Sequence, residues 1–188
     1  MRSPRRSRSS AAAGRLPPAV PRPRLLKRLA GPWKVAVVSA PAGYGKTTLA
    51  SQVAARREAL WCRLDPDDRE VSHLLGRLLA AGARLPRPVG GRTLRLFESR
   101  RDMERDGGLL TASLLDELVP ARGERLVVLD DVQVLAEARE ALRWLGRVME
   151  ESGPRVRFLL TCRGACPLPV ARLELAGGSV QLKAEDLE

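Results

Sequence analysis

Four apolar runs of strand length punctuate this chain. Val35-Ala36-Val37-Val38, Leu60-Trp61-Cys62-Arg63-Leu64, Arg125-Leu126-Val127-Val128-Leu129-Asp130 and Arg155-Val156-Arg157-Phe158-Leu159-Leu160-Thr161 are rich in Val and Leu. The last two scarcely alternate with polar residues, as expected of strands covered by helices on both faces. Between them, apolar positions recur with helical spacing. That spacing predicts a short helix with Leu25, Leu26 and Leu29 on one face, closed by Gly31-Pro32. Further helices are expected over Thr48 to Ala55, Val71 to Ala81, Leu109 to Leu118 (Leu109, Leu110, Leu114, Leu115 and Leu118 on one stripe) and Ala136 to Glu150 (Leu142, Leu145 and Val148 inward). Asp65-Pro66-Asp67-Asp68 puts negative charge where the helix at Val71 begins, complementing its dipole. Residues 82 to 108 are dense in Gly, Pro and charge, and predict one short helix from Leu94 to Met103. Leu173 with Leu175, and Val180 with Leu182, predict two short closing strands. Strands alternating with helices indicate an α/β domain with a mainly parallel sheet.

The first strand runs into Ala40-Pro41-Ala42-Gly43-Tyr44-Gly45-Lys46-Thr47, and a helix follows. This is a phosphate-binding P-loop in its required strand–loop–helix context. A Gly-rich turn lets successive backbone N–H groups point at phosphates, and the helix N-terminus adds the positive end of its dipole. Lys46 is then the cation for the β- and γ-phosphates, and the Thr47 hydroxyl is a Mg²⁺ ligand. The motif begins with Ala40 where Gly is usual, a change the turn tolerates. The third strand ends in Asp130-Asp131, the pattern of a Walker B element. Asp130 is expected to help hold Mg²⁺, and Asp131 to orient or deprotonate an attacking water. The fourth ends in Thr161-Cys162-Arg163, at the carboxyl edge where open α/β sheets bind ligands. Arg163 is therefore a candidate γ-phosphate sensor.

Composition and charge alter this picture only at one end. With 188 residues and 44% hydrophobic content, the chain can bury a sizeable core. The net charge of +11 resembles a nucleic-acid signature, but residues 1 to 57 hold thirteen Lys and Arg and no acid, whereas the rest hold twenty bases against twenty-two acids. Residues 1 to 18, rich in Arg, Ser, Ala and Pro, offer little apolar surface and are expected to form a disordered basic arm, with residues 19 to 188 as the NTPase domain. Arg5-Arg6 lacks the apolar stretch of a twin-arginine export signal, and no run approaches the ~18 apolar residues of a membrane span. A cytoplasmic location is expected. Cys62, Cys162 and Cys166, odd in number, suggest buried reduced thiols, and His73, the single histidine, an ordinary helix-surface residue.

Taken in order, VPRPRLLKRL, VVSAPAGYGKTTL, LWCRLDPDD, LVVLDDVQVL and LLTCRG resemble the nucleotide-binding domain of STAND-class P-loop ATPases, specifically the MalT-like members of the LuxR family of bacterial transcription regulators. The resemblance spans about Val20 to Glu188. It implies a P-loop NTPase three-layer sandwich in which the strand ending at Arg163 lies between the P-loop strand and the Walker B strand. It implies too that the segment from Val20 to Leu25, including Arg22, lines the adenine pocket, and that the loop from Ala40 through Thr48 holds ATP or ADP with Mg²⁺. In such proteins the two nucleotides switch an autoinhibited monomer toward an oligomer, and slow hydrolysis resets it. Those regulators continue with a winged-helix lid, helical repeats and a helix-turn-helix, none of which is visible here. The expectation is thus a truncated product or free-standing module without sequence-specific DNA binding of its own. Two other classes share the P-loop. A small-molecule kinase would use Arg92, Arg95, Arg100, Arg101 and Arg105 as an arginine-bearing lid, and a nucleic-acid-associated ATPase would use the basic arm.

Overall fold

A computed structural model describes residues 21–55, 57–99, 103–170 and 178–188. Five strands, β1 (Val35–Ser39), β2 (Glu58–Arg63), β3 (Arg125–Asp130), β4 (Val156–Cys162) and β5 (Ser179–Leu182), form one parallel sheet in the order β2-β3-β4-β1-β5. The fourth strand lies between the P-loop strand and the strand ending in Asp130, as expected. Among the described residues the α-helices are α1 (Pro23–Arg28), α2 (Lys46–Ala54), α3 (Val71–Gly82), α4 (Gly91–Ser99), α5 (Met103–Leu118), α6 (Arg139–Glu151) and α7 (Ala184–Leu187).

The strands alternate between two cores because successive side chains point to opposite faces. Val35, Val37, Val127, Leu129, Phe158 and Leu160 pack under α3 to α6. Ala36, Val38, Leu126, Val128 and Leu159 pack under α1, α2 and α7. Every residue of β3 is buried, which explains its unbroken apolar run.

Several boundaries differ from the sequence reading, each for a physical reason. The helix expected from Leu94 to Met103 is α4, three residues earlier. The Glu117 carboxylate of α5 accepts the backbone N–H groups of Arg92 (3.0 Å) and Thr93 (2.8 Å), capping the first turn from another helix. Helix α5 starts at Met103 rather than Leu109, and Leu109 itself is 48% exposed. Helix α6 starts at Arg139 rather than Ala136, because the chain first makes a 3₁₀ turn over Val132–Leu135 that buries Val132 and Leu135. Leu142 is only half-buried on the edge of the core, and Cys166 is half-buried rather than buried. The strand at Val180 and Leu182 is β5. The predicted strand at Leu173 and Leu175, the basic arm, Arg100 and Arg101 lie outside the described residues.

Candidate functional site

Parallel pairing brings the carboxyl ends of β1, β3 and β4 to one edge. Val38 and Ser39 pair with Thr161 and Cys162, and the Ala40 N–H donates to the Cys162 carbonyl at 3.2 Å, so the P-loop starts in register with the end of β4. Within the loop, Gly43 (φ 88°) and Gly45 (φ 76°) take left-handed conformations that a side chain would strain. Ala40 does not, so its substitution for Gly costs nothing in backbone terms. Ala40 is buried, Pro41, Ala42 and Gly43 are exposed, and Tyr44 packs half-buried against the α1–α2 core. Lys46, 7% exposed, donates to the Pro41 carbonyl at 2.8 Å and so curls over the loop it follows.

Thr47 and Asp130 meet across 83 residues of sequence. The Thr47 hydroxyl lies 3.1 and 3.2 Å from the two carboxylate oxygens of Asp130. Asp130 is 2% exposed and also accepts a hydrogen bond from the Thr161 hydroxyl, which in turn accepts the Asp131 N–H at 3.1 Å. Asp131 is the one non-glycine residue with positive φ (67°) among the described residues. Such conformations in a side-chain-bearing residue cluster at functional sites. Its carboxylate accepts from the Gln133 amide at 2.8 Å and faces Arg63 (3.3 Å) and Arg163 (3.5 Å). Burial pulls this carboxyl up, but the Gln133 amide and the two guanidinium groups outweigh it and hold it below the usual carboxylate range. The Gln133 side chain also accepts the Arg163 N–H at 3.0 Å, so one amide ties Asp131 to the loop after β4.

The groups expected to meet a nucleotide are thus together, and Arg22 joins them. A Cβ built on Gly45 would lie 3.5 Å from Arg22 Nη2, which places that guanidinium over the P-loop. Among the described residues Arg22 Nη1 is buried with no hydrogen-bond partner, a donor open to a ligand. Beside it, Arg22, Pro23, Leu25, Asp186 and Leu187 line a recess of about 290 Å³. Thr48 sits behind the loop, half-buried, its carbonyl accepting the Ser51 hydroxyl at 2.8 Å. The donor set fits an anionic phosphate chain with a hard cation: backbone amides, a buried ammonium, an orphaned guanidinium, and a hydroxyl–carboxylate pair.

Sequence reasoning passed over Thr161, Gln133 and Arg63 as members of this cluster. The signals were present: Thr161 is a polar residue ending an apolar strand, and Gln133 sits two positions after the acidic pair. The arginines considered for a kinase lid fare differently. Arg92 is tied down, donating to Asp116 (3.0 Å) and Ser113 (3.2 Å) of α5.

The chain is similar in structure to the Aeropyrum pernix Orc1 protein in complex with DNA, which aligns over 86% of this chain and 43% of its own with a TM-score of 0.52 and 18% identity. The fold is that of a P-loop NTPase. In sequence, the chain is 29% identical over 92% of its length to the HTH-type transcriptional regulator MalT of Vibrio cholerae, and 30% identical over 92% to MalT of Serratia proteamaculans. It spans about a fifth of the length of those proteins, 19% in each case. No protein-family model matches it. Among the described residues, no helix is long and apolar enough to cross a membrane.

Proposed function

We propose that this chain is an ATP-binding regulatory module of the STAND type, a nucleotide switch with slow Mg²⁺-dependent hydrolysis, like that of MalT-like LuxR-family regulators. The observation that carries the reading is the buried Asp130 carboxylate held against the Thr47 hydroxyl at the base of a P-loop whose Lys46 is itself buried. Sequence relationship to MalT supports the regulatory class over a metabolic kinase.

In this reading Gly43, Gly45 and the first turn of α2 present backbone N–H groups to phosphate oxygens, and Lys46 leaves the Pro41 carbonyl to place its charge beside them. Thr47 and Asp130 would hold Mg²⁺, which would neutralise charge on the phosphates. Arg22 gives its free Nη1 donor to the nucleotide at the recess it lines with Leu25 and Leu187. Asp131 aims a water at the terminal phosphate. Held ionised by Gln133, Arg63 and Arg163, it is a weak base, which favours orientation over proton abstraction and therefore slow turnover.

Arg163 supplies the switch. It is 55% exposed at the side chain and engaged with Asp131 at 3.5 Å, so reaching a γ-phosphate means leaving that carboxylate. Only a group that contacts ATP and ADP differently can shift a conformational equilibrium. Self-association in the ATP state would follow from that shift.

Thermal unfolding with Mg²⁺ and increasing ATP or ADP, beside Lys46→Ala, tests the reading. A ligand at 100 times its Kd stabilises by about 2.7 kcal/mol. Stabilisation of the parent chain that is lost in the variant is expected. Equal stabilisation of both would overturn the assigned site.

A further inference from the structure

Strand β2 is one edge of the sheet, and among the described residues only β3 pairs with it. Just past its end, the Leu64 N–H donates to the Asp130 carbonyl at 2.9 Å. Main-chain groups alternate in direction along a strand, so those of Leu60 and Cys62, in phase with Leu64, also face β3. The N–H and C=O groups of Ala59, Trp61 and Arg63 therefore point out of the sheet, where no second strand takes them up among the described residues. Such a row is a template for one more strand.

Two cavities open on this edge and meet at Trp61, which lines both. The first, about 560 Å³, runs along Glu58 and Ala59 between Ala54 and Ala55, where α2 ends, and Pro86, just beyond α3. Helices α2 and α3 cover opposite faces of the sheet, so a cavity walled from both sides straddles the strand edge itself. The second, about 620 Å³, continues along Cys62 and Arg63 beside Gly76 and Ala80 of α3. Short side chains in both walls leave room for a backbone to come close.

Charge selects the occupant. Glu58 is already paired with Arg125 at 3.1 Å, and Arg77 with Asp65 and Asp68. Arg84 and Arg87, both exposed, line these cavities and have no acidic partner among the described residues. In the first cavity Arg57 joins them, and its Nη1 is buried without a hydrogen-bond partner among the described residues. We propose that the free edge of β2 docks an extended, acidic segment of a partner protein, which adds a sixth strand to the five-stranded sheet and sets its carboxylates against Arg57, Arg84 and Arg87. Main-chain hydrogen bonds to Ala59, Trp61 and Arg63 supply affinity, and the arginines reject basic segments. The inference is independent of nucleotide binding.

The probe is a fluorescent peptide of alternating Glu and Val, titrated with the full chain and read by anisotropy, beside a Lys and Val peptide of the same length. The acidic peptide should bind, more weakly as salt rises, and the basic one should not. Amide hydrogen exchange followed by NMR should slow at Ala59, Trp61 and Arg63 in the complex and stay as it was at Leu60 and Cys62. Ala59→Pro removes one outward donor and leaves the bonds to β3 in place, where an edge strand admits proline. It should weaken the peptide about fivefold to tenfold, the worth of roughly one main-chain hydrogen bond. Arg84→Glu combined with Arg87→Glu, at exposed positions, should weaken it at least as much with Tm unchanged. No binding of the acidic peptide, equal binding of the basic one, binding without slowed exchange at the three amides, or full affinity in both variants would overturn the proposal. So would tighter binding of an oligothymidylate, or pairing of the chain with itself that Ala59→Pro abolishes.

Discussion

The Thr161 hydroxyl gives its proton to Asp130 and accepts the backbone N–H of Asp131 at 3.1 Å, so one side chain of β4 fixes both acids at the end of β3. Thr161 is fully buried, which leaves no water to substitute for it. Thr161→Val keeps the shape but takes one donor from the buried Asp130 carboxylate, leaving it the Thr47 hydroxyl, and removes the acceptor of the Asp131 N–H. The expected loss is about 1–3 kcal/mol, read as a fall of several degrees in Tm, together with weaker Mg²⁺-dependent stabilisation by ATP. An unchanged Tm would mean that the acids are held by the strand alone.

Asp131→Asn removes the charge but keeps a residue that tolerates the left-handed backbone. ATP-induced stabilisation should survive while steady-state phosphate release falls about 10²-fold or more. Turnover that persists unaltered would move the water-orienting role to another group.

Arg163→Ala removes the group proposed to exchange Asp131 for a γ-phosphate. The ratio of ADP to ATP dissociation constants, measured by calorimetry with Mg²⁺, should contract toward one. A ratio equal to that of the parent chain would count against the switch.

Lys34, 4% exposed beneath Phe158, donates to the Ser152 hydroxyl at 2.8 Å and the Gly153 carbonyl at 3.0 Å. Burial lowers its ammonium from the ordinary 10.5 to about 8. Because the folded chain gives up this proton before the unfolded chain does, the cost of burying the charge is fully present below pH 8 and is relieved as pH rises toward 10.5. Denaturant unfolding should therefore show Lys34 contributing a rise in stability over that window. In Lys34→Met that contribution should vanish, and identical pH slopes in the two chains would refute it.

How much of this was legible beforehand depends on the range of the interactions. The P-loop and the acid pair are local, and Val127 and Val128 announce a strand covered on both faces, so the sheet and the Thr47–Asp130 meeting followed from motif context. Helix α4 was misplaced because its cap comes from Glu117, more than twenty residues away and on another helix. Gly107 and Gly108 likewise disguised the first turns of α5, where glycine weakens local helix preference but tertiary packing prevails. The left-handed Asp131 and the arginines facing it could not be read from spacing, since Arg63 and Arg163 lie roughly 330 Å of extended chain apart, at about 3.3 Å per residue, and meet only because β2 and β4 flank β3 in the sheet.

The central position of β4 makes it a common ruler for everything on the sheet's carboxyl edge. It pairs Leu160 with Leu129 on one side and Thr161 with Val38 on the other. A slip of one residue would turn each of its side chains to the opposite face. Thr161 would then leave Asp130, and Arg163 would leave Asp131, before any loop had changed its own shape. Variation that retunes this site is therefore expected to accumulate in loop side chains such as Gln133 and Arg163, while the strand between them stays fixed in length.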